Sequence, residues 1–216
     1  MNWSTIWSNH GLFTSGLEGT VELAATAVVT GTVVGLLVAA VRTSRVPVLA
    51  QLGRLYLEVF RGTPLLVQML FIYFGAAYQG ISNITVYEAA LIALTLYEGA
   101  YMAEIFRAGI EAVPRGQWEA SRVLGLGPVQ TFTTVILPQT RTIVLPPLVG
   151  QYLSLIKDTS IAVVIGYVEL MRQGQAVIDR TSDPVAPYLT VAALYFIICF
   201  PLSLAVRRME RKAAPA

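Results

Sequence analysis

The sequence predicts an all-α integral membrane protein with five transmembrane helices, its N-terminus outside and its C-terminus in the cytoplasm. Of its 216 residues, 55% are hydrophobic and only 13% are charged, and the mean hydropathy is +0.63. So little polar surface cannot cover a water-soluble globule of this size. The apolar residues fall in five long runs, and the basic residues are concentrated between alternate pairs of these runs.

Each of the five runs is long enough to cross a bilayer, since a spanning helix needs about 20 mostly apolar residues for a hydrocarbon core about 30 Å thick. Because the runs lack the ten-residue segments of alternating polarity that mark membrane barrels, helices are favoured. The predicted spans cover about residues 20–41, 55–77, 87–110, 132–156 and 187–206.

The basic residues predict the orientation, because Lys and Arg beside a span are retained on the cytoplasmic side. No basic residue precedes Arg42, and residues 78–86 contain none. The basic residues between spans one and two, between spans three and four, and after span five are Arg42, Arg45, Arg54, Arg115, Arg122, Arg207, Arg208, Arg211 and Lys212. The segment between spans four and five has Arg172 and Arg180 beside three acidic residues, and it is placed outside.

The chain is expected to form one domain with two short flanking segments. Residues 1–41 lack the basic region of a secretory signal, so the first apolar run is interpreted as a permanent span. We expect residues 1–19 to be an external or interfacial segment, residues 20–206 to be the five-helix domain and residues 207–216 to be a cytoplasmic tail. The net charge of +2 and the lack of a basic run give no indication of nucleic acid binding.

Catalytic chemistry finds little support in the sequence. Neither Lys157 nor Lys212 follows a glycine, so a Gly-Lys-Ser/Thr phosphate-binding loop is absent. His10 and Cys199 are single and lie at opposite ends of the chain, which disfavours nucleophilic triads and metal clusters. The sequence therefore predicts that this chain is not an ATPase or another enzyme and that it holds no cofactor or metal.

A short helix is predicted between spans three and four, at about residues 114–125. Pro114 suits the first helical position, where its missing N–H is not needed. Gly125 is well placed as the C-terminal cap. The pair Gly127-Pro128 then turns the chain and starts span four.

One face of this short helix is charged. Arg115, Glu119 and Arg122 fall at i, i+4 and i+7, so Glu119 can pair with either arginine. Two interpretations are open: an interfacial loop helix anchored by Trp118, or a helix that another protein holds at the membrane surface.

The order of residues in and after this helix resembles a known family. Residues 116–125 read Gly-Gln-Trp-Glu-Ala-Ser-Arg-Val-Leu-Gly, and Phe132, Val135 and Leu-Pro-Gln at 137–139 follow. This pattern is similar to the EAA loop of permease subunits of ATP-binding-cassette (ABC) importers. Three further stretches resemble signatures of the polar amino acid uptake group: Arg-Gly-Thr-Pro-Leu-Leu-Val-Gln at 61–68, Ala-Tyr-Met-Ala-Glu-Ile-Phe-Arg at 100–107 and Lys-Asp-Thr-Ser at 157–160. The resemblance covers about residues 17–210.

The resemblance implies the permease fold of type I ABC importers and a location in the bacterial inner or plasma membrane. It implies a homodimer or a pair with a sister permease, bound to two ATP-binding cassette subunits and supplied by a solute-binding protein. ATP and Mg²⁺ would then be bound by the partner ATPase, and the substrate would be a polar amino acid.

In that family the EAA segment is the coupling helix, which rests in a cleft of the ATPase. By this resemblance the coupling candidates are Gly116, Glu119, Ala120 and Gly125, with Arg115 and Trp118 as neighbours. Two positions depart from the family pattern. Ser121 stands where alanine is more frequent, which is a small-for-small change. Gly150 stands where asparagine is common, which would alter the substrate site or the local bend.

Ionisable groups within spans indicate substrate contacts, because such groups are costly in the membrane and usually face protein or water. In span three, Tyr97, Tyr101 and Glu104 lie on one side of the helix, and Arg107 can pair with Glu104. Either Glu104 binds a substrate ammonium between tyrosine walls, or Glu104 and Arg107 only neutralise each other while they hold helices together. Glu98 points about 120° away from Glu104 and belongs to another surface.

Lys157, Asp158, Thr159 and Ser160 form the densest polar cluster between two apolar runs. One interpretation is a break in the helical backbone at membrane depth, where Lys157 would suit a carboxylate and Asp158 an ammonium. The other is that Asp158 and Thr159 cap a following short helix while Lys157 reaches the membrane interface. Three prolines make span four irregular under either interpretation.

Arg61 and Gln68 are seven residues apart, on one face of the predicted second span, so both would line the path; alternatively, Arg61 lies near the cytoplasmic end. The candidate substrate-binding residues are therefore Arg61, Gln68, Tyr101, Glu104, Lys157, Asp158, Thr159 and Ser160. The predicted function is a membrane-spanning permease subunit of an ATP-driven polar amino acid importer, which forms the path and couples to the ATPase. The alternative is a self-sufficient amino acid channel or secondary carrier.

Overall fold

The computed structural model describes residues 3–44, 46–80 and 84–213, and the regular elements in these ranges are all helical. The α-helices are α1 (Ser4–Ser8), α2 (His10–Arg42), α3 (Pro47–Gly62), α4 (Leu65–Tyr78), α5 (Val86–Glu111), α6 (Arg115–Val123), α7 (Pro128–Gln130), α8 (Leu137–Asp158), α9 (Leu170–Thr181) and α10 (Val185–Ala213). A π-helical turn, Thr131–Ile136, joins α7 to α8, and a 3₁₀ segment, Thr159–Ile165, extends α8. The described part does not include residues 1–2, Arg45, residues 81–83, residues 214–216 or the side chain of Lys212. The sequence predictions that used these residues therefore lie outside it.

Four of the described helices are long and apolar enough to cross a membrane: α2, α5, the continuous helix Pro128–Ile165 and α10. The bent pair of α3 and α4 is a fifth candidate if it is counted as one span. The helical class is therefore confirmed, and four of the five predicted apolar spans are single helices, whereas the fifth corresponds to the bent pair.

Small residues allow α2 and α5 to pack closely at the centre of the bundle. A Cβ atom on Gly35 of α2 would lie 2.7 Å from Cβ of Met102, and one on Gly99 of α5 would lie 2.7 Å from Cγ1 of Val34. Within a membrane, such close approach of backbones gives helices the van der Waals contact that holds them together. The same contact buries Glu98 of α5 against α2.

The second predicted span is two helices, α3 and α4, which are bent by 103° with respect to each other. Thr63 precedes Pro64 and is extended, with φ −121° and ψ 148°, as steric clash with a following proline favours. The side-chain amide of Gln68 donates to the carbonyl oxygens of Phe60 and Thr63, at 2.9 and 3.1 Å. Carbonyl oxygens at the end of a helix such as α3 have no partner within the helix, so Gln68 supplies one. The expectation that Arg61 and Gln68 share one helix face is therefore wrong.

Neither sequence interpretation of residues 157–160 describes the backbone there. Helix α8 runs through Asp158 and narrows into the 3₁₀ segment without a break. No glycine or proline lies between Gly150 and Gly166, so nothing interrupts the helix until Gly166, with φ +84°, ends it. Asp158 makes no side-chain capping bond to the 3₁₀ segment.

The irregularity of span four is concentrated before one of its three prolines. The π-helical turn Thr131–Ile136 ends two residues before Pro138, and a wide turn accommodates the ring and the missing N–H of a proline. Pro146 and Pro147 lie inside α8, and the helix continues through them.

The N-terminal part of α2 holds the loop that follows the 3₁₀ segment. Helix α2 begins at His10, so the last ten residues of the predicted segment 1–19 belong to it. The hydroxyl of Tyr167 donates to the carbonyl oxygen of Gly19 at 3.1 Å. A Cβ on Gly19 would lie 2.0 Å from the carbonyl oxygen of Val168, so only glycine fits at this contact.

Candidate functional site

A charged cleft of about 480 Å³ lies between α2, α3 and α5, and we call it the arginine cleft. It brings together three residues that the sequence predicted to bind substrate, Arg61, Tyr101 and Glu104. The guanidinium carbon of Arg61 lies 5.2 Å from the ring centroid of Tyr101, within the range of a cation–π interaction. The other charged side chains that line the cleft are Arg42, Arg54 and Glu58.

Glu104 is neutralised by two arginines. Its carboxylate accepts hydrogen bonds from Arg42 on α2 and from Arg107 on its own helix, and Arg107 also pairs with Glu111. The Arg107 pair was expected from the spacing, whereas Arg42 is 62 residues away in the chain and its approach depends on how α2 packs on α5. This geometry favours the interpretation in which Glu104 holds helices together.

Helix α3 presents a polar stripe to the arginine cleft. Arg54, Glu58 and Arg61 follow one another at spacings of four and three residues, so their side chains are neighbours on one face. In the part of the chain that the structure describes, Arg54 and Glu58 form no ion pair with each other or with another group. These charges are therefore available to water or to a ligand.

A second polar group lies inside the bundle, and we call Glu98, Gln151 and Asp158 the carboxyl cluster. Glu98 is completely buried, and its Oε2 accepts a 2.8 Å hydrogen bond from the side-chain amide of Gln151. Its Oε1 is buried and accepts no hydrogen bond from the described residues. The Asp158 carboxyl lies close enough to Glu98 for their side chains to interact. Two carboxyl groups can share a hydrogen bond only if one is protonated, so the cluster is a place for a proton or a cation.

A pair of tyrosines on α5 connects the carboxyl cluster with the arginine cleft. The hydroxyls of Tyr97 and Tyr101 are 3.2 Å apart, and their ring centroids are 5.0 Å apart. Tyr97 interacts electrostatically with Asp158 and Glu98, whereas Tyr101 lines the cleft. A polar strip therefore follows α5 from the carboxyl cluster to the arginine cleft.

The remaining predicted substrate residues take other positions. The hydroxyl of Thr159 donates to the carbonyl oxygen of Ile156 and that of Ser160 to the carbonyl oxygen of Lys157, both at 2.7 Å. Lys157 is exposed and forms no ion pair within the described ranges. Gln68 supports the bend between α3 and α4, as described above. Among the residues at 157–160, Asp158 is therefore the one that approaches another member of the polar strip.

The sequence analysis did not identify two members of the carboxyl cluster. Glu98 was assigned to a surface other than that of Glu104, which is correct, but its partners could not be inferred from spacing on one helix. Gln151 belongs to no local motif. A Cβ atom on its neighbour Gly150 would meet nothing within 4 Å, so a larger side chain, such as the asparagine common in the family pattern, has space at this position.

Groups of three or more His, Cys, Asp or Glu side chains arranged to hold a metal ion do not occur among residues 3–44, 46–80 and 84–213. The carboxyl cluster has two carboxyl groups and one amide, and it suits an ammonium group as a ligand.

Helix α6 covers most of the predicted segment 114–125 and ends in a tight cap. Gly125 has φ +74°, in the left-handed region that glycine adopts without strain. The N–H of Leu126 donates to the carbonyl oxygen of Ser121 at 3.1 Å, and that of Gly125 donates to Arg122 at 3.0 Å. These two bonds are the Schellman motif, which confirms the predicted cap.

The two faces of α6 differ sharply. The exposed residues are Arg115, Gly116, Gln117, Glu119, Ala120, Arg122 and Val123, and Leu124 follows them. Val123 and Leu124 are 87% and 78% exposed, which is unusual for large apolar side chains on a short charged helix. Glu119 forms no ion pair with Arg115 or Arg122 within the described residues, although its spacing allows either.

The inner face of α6 rests on the spans. Trp118 is half-buried and lines an apolar cavity, so the structure turns this coupling candidate towards the bundle. Ser121 is buried, and its hydroxyl donates to the carbonyl oxygen of Gln117 at 2.7 Å. That bond explains how serine is accommodated where alanine is more frequent.

Comparison with known sequences identifies the family. The profile of the family described as "Binding-protein-dependent transport system inner membrane component" matches residues 31–215. The glutamine transport system permease protein GlnP of Escherichia coli (strain K12) is 37% identical over 213 residues, which are 98% of this chain and 97% of that protein. The L-cystine transport system permease protein TcyB of Bacillus subtilis (strain 168) is 39% identical over 205 residues, or 93% and 86% of the two chains.

The fold leads to the same family. A crystal structure of an amino acid ABC transporter with histidines matches with a TM-score of 0.93 and 37% identity, over 98% of this chain and 99% of that chain. The resemblance to type I importer permeases is thereby confirmed, and a self-sufficient channel or carrier finds no support. The family profile and the nearly end-to-end relatives show that this chain belongs to the inner membrane components of binding-protein-dependent transport systems, the permease subunits of ABC importers.

Proposed function

We propose that this permease imports a polar amino acid, with its N-terminus outside and its C-terminus in the cytoplasm. The carboxyl cluster is the observation that carries the proposal, because a buried carboxylate oxygen of Glu98 has no donor among the described residues. A buried acceptor without a donor is costly, and an ammonium group supplies donors and compensates the charge. The glutamine and cystine permeases named above support the amino acid class and leave the particular amino acid open.

The polar strip on α5 matches the two charges of an amino acid. The ammonium group would donate to Glu98 and Asp158, and the carboxylate would accept from Arg61, whose guanidinium lies over Tyr101. Glu98 and Tyr101 are three residues apart, about 4.5 Å along the helix axis. An amino acid that leaves the carboxyl cluster would therefore meet the arginine cleft within one helical turn.

Energy for transport would come from partner subunits. Two ATP-binding cassette subunits would bind ATP and Mg²⁺, a solute-binding protein would deliver the amino acid, and a second copy of this chain or a sister permease would complete the path. The exposed face of α6 suits docking in a cleft of the ATPase, because Glu119 is a free charge beside exposed Val123 and Leu124. The Schellman cap at Gly125 makes this end of α6 rigid, so closure of the ATPase would move the attached spans.

The test is the ATPase activity of the complete complex in lipid, with and without solute-binding protein loaded with individual amino acids. We expect one polar amino acid to stimulate hydrolysis and Glu119→Lys to abolish the stimulation. Glu210→Lys makes the same charge change on an exposed residue of α10 and should leave the stimulation intact. Amino acid uptake that needs no ATP and is insensitive to Glu119→Lys would overturn the proposal in favour of a carrier.

A further inference from the structure

An apolar cavity of about 480 Å³ lies between α2, α5, α6 and the start of α8, and we call it the Trp118 cavity. Trp118 of α6 forms one wall, and Phe106 of α5 and Phe132 of the π-helical turn form others. A water molecule occupies about 30 Å³ in the liquid, so the space is much larger than a packing defect. The described side chains therefore leave space between α6 and the spans.

Thr140 of α8 lines this cavity, and its hydroxyl has no hydrogen-bond partner among the described residues, although the residue is only 5% exposed. Other helical threonines donate to the carbonyl oxygen four residues earlier: Thr26 at 2.8 Å, Thr32 at 2.6 Å and Thr133 at 2.8 Å. For Thr140 that carbonyl belongs to Ile136, the last residue of the π-helical turn. A buried hydroxyl without a partner is uncommon and costs free energy.

Trp118 has the complementary group. Its indole N–H can only donate, and it donates to no acceptor in the described part of the chain, whereas a threonine hydroxyl can accept. Both side chains line the same cavity, and their elements are joined by the segment that contains α7 and the π-helical turn. A movement of α6 towards the spans would narrow the cavity that both Trp118 and Thr140 line.

We propose that Trp118 and Thr140 are a state-dependent pair: when the ATPase subunits close and press α6 towards the membrane, the indole N–H of Trp118 donates to the hydroxyl of Thr140 and the cavity closes. The pair rests on the proposed function, since it requires α6 to be the coupling helix. Trp118 then acts inside the bundle, and Thr140 is a positioning residue that stabilises the closed arrangement. The hydrogen bond forms only when α6 is displaced, so it transmits the displacement to α8.

The first experiment is a double-mutant cycle on the complete complex in lipid, with rates of receptor-stimulated ATP hydrolysis and of uptake measured per assembled complex. Thr140→Val keeps the branched shape and removes the hydroxyl, and Trp118→Phe keeps a ring and removes the donor. One net hydrogen bond corresponds to about a threefold to tenfold change in an equilibrium. We expect each single variant to lower uptake per ATP by about that factor, and the double variant to lose no more than one single variant. Thr140→Ser keeps the hydroxyl and should retain the coupling of the parent. Losses that multiply in the double variant, or a loss of coupling in Thr140→Ser as large as that in Thr140→Val, would overturn the pair.

The second experiment detects closure directly. A cysteine placed by Thr140→Cys, in a Cys199→Ala background, is labelled with a small thiol reagent, and the permease is separated from its partners by size before labelling is scored. We expect labelling to slow when ATP and vanadate trap the closed ATPase, and Trp118→Ala to remove this protection. Equal labelling in the two states, in a complex whose hydrolysis still responds to loaded receptor, would refute the pair and leave the proposed function intact. Loss of that response in the parent complex would refute the proposed function itself.

Discussion

The side-chain amide of Gln151 on α8 donates to Oε2 of Glu98 on α5 over 2.8 Å, and the other carboxylate oxygen of Glu98 has no donor within the described residues. The contact joins two helices that are remote in sequence. It holds the Glu98 side chain in one orientation within the carboxyl cluster.

Replacing Glu98 by glutamine should weaken amino acid binding. Glu98→Gln keeps the size of the side chain but removes the charge that an ammonium group would pair with. A hydrogen bond to a charged group is worth about 1.5–3 kcal/mol, so we expect KM for uptake to rise about tenfold or more. Glu18→Gln, a change of an exposed glutamate on α2, is the matched control. An unchanged KM in Glu98→Gln would show that the carboxyl cluster does not contact the substrate.

Replacing Glu104 by glutamine should affect stability more than substrate binding. The change leaves Arg42 and Arg107 without their shared partner, and we expect the free energy of unfolding to fall by up to about 1 kcal/mol. Thermal unfolding in detergent measures the loss, which should be partly reversed in the Arg42→Gln, Glu104→Gln double variant. A rise in KM at unchanged stability would instead assign Glu104 to the ammonium, the alternative that its position in the arginine cleft allows.

Replacing Gly125 by alanine should disturb the end of α6. Alanine in the left-handed region is strained by about 1–2 kcal/mol, so the Schellman cap should weaken. We expect receptor-stimulated ATP hydrolysis to fall while amino acid binding to the solute-binding protein is unaffected. The control is Gly127→Ala, since Gly127 has φ −68° and its added Cβ would meet only Gln130 at 3.9 Å. Equal effects of the two changes would contradict a special role of the cap.

Replacing Gly19 by alanine should destabilise the contact between α2 and the loop before α9. The new Cβ would lie 2.0 Å from the backbone oxygen of Val168, and a backbone atom cannot give way without moving the loop. Overpacking of this kind costs about 1–3 kcal/mol. Gly11→Ala, eight residues earlier in the same helix, adds a Cβ into open space and should not lower the Tm. The comparison is a pair of melting curves in the same detergent.

Glu169 predicts a pH dependence of stability. Its buried carboxylate accepts the backbone N–H groups of Met171 and Arg172 at the start of α9, at 2.7 and 2.6 Å, and burial raises its pKa above the ordinary value of 4.5. A raised folded-state pKa means that its contribution is present at low pH and is lost as the pH rises from 4.5 through the folded-state pKa. The Tm of the parent should therefore fall relative to the Tm of Glu169→Gln as the pH rises over that interval. A parent Tm that stays constant or rises relative to that of the variant would contradict the assignment.

Local patterns predicted the helices and the cap at Gly125 because their signals lie within a few residues of the element they describe. The bend at Thr63–Pro64 has a local signal as well, since proline restricts the residue before it, but the apolar composition of the run outweighed it. The continuous helix through Asp158 was missed for the opposite reason. A polar cluster was interpreted as a break, although the nearest residue able to end the helix is Gly166.

The carboxyl cluster lay beyond sequence reasoning because its members are brought together by packing. Glu98 and Gln151 are 53 residues apart, and their approach depends on how α5 and α8 cross. Arg42 reached Glu104 in the same way, 62 residues from it. Spacing on one helix predicts that Arg107 pairs with Glu104, but it cannot predict which side chain of a neighbouring helix contacts Glu104.

The bend between α3 and α4 has a consequence for the depth to which water reaches. Helix α4 has 14 residues and is about 21 Å long, whereas the hydrocarbon core of a bilayer is about 30 Å thick. Helix α3 leaves the bend at 103°, so it adds little to the thickness that the pair covers. We expect the polar stripe of α3 to be hydrated at the depth of the bend, where it would form the bottom of a shallow water-filled entrance. The dry barrier that a solute has to cross would then be only part of the membrane.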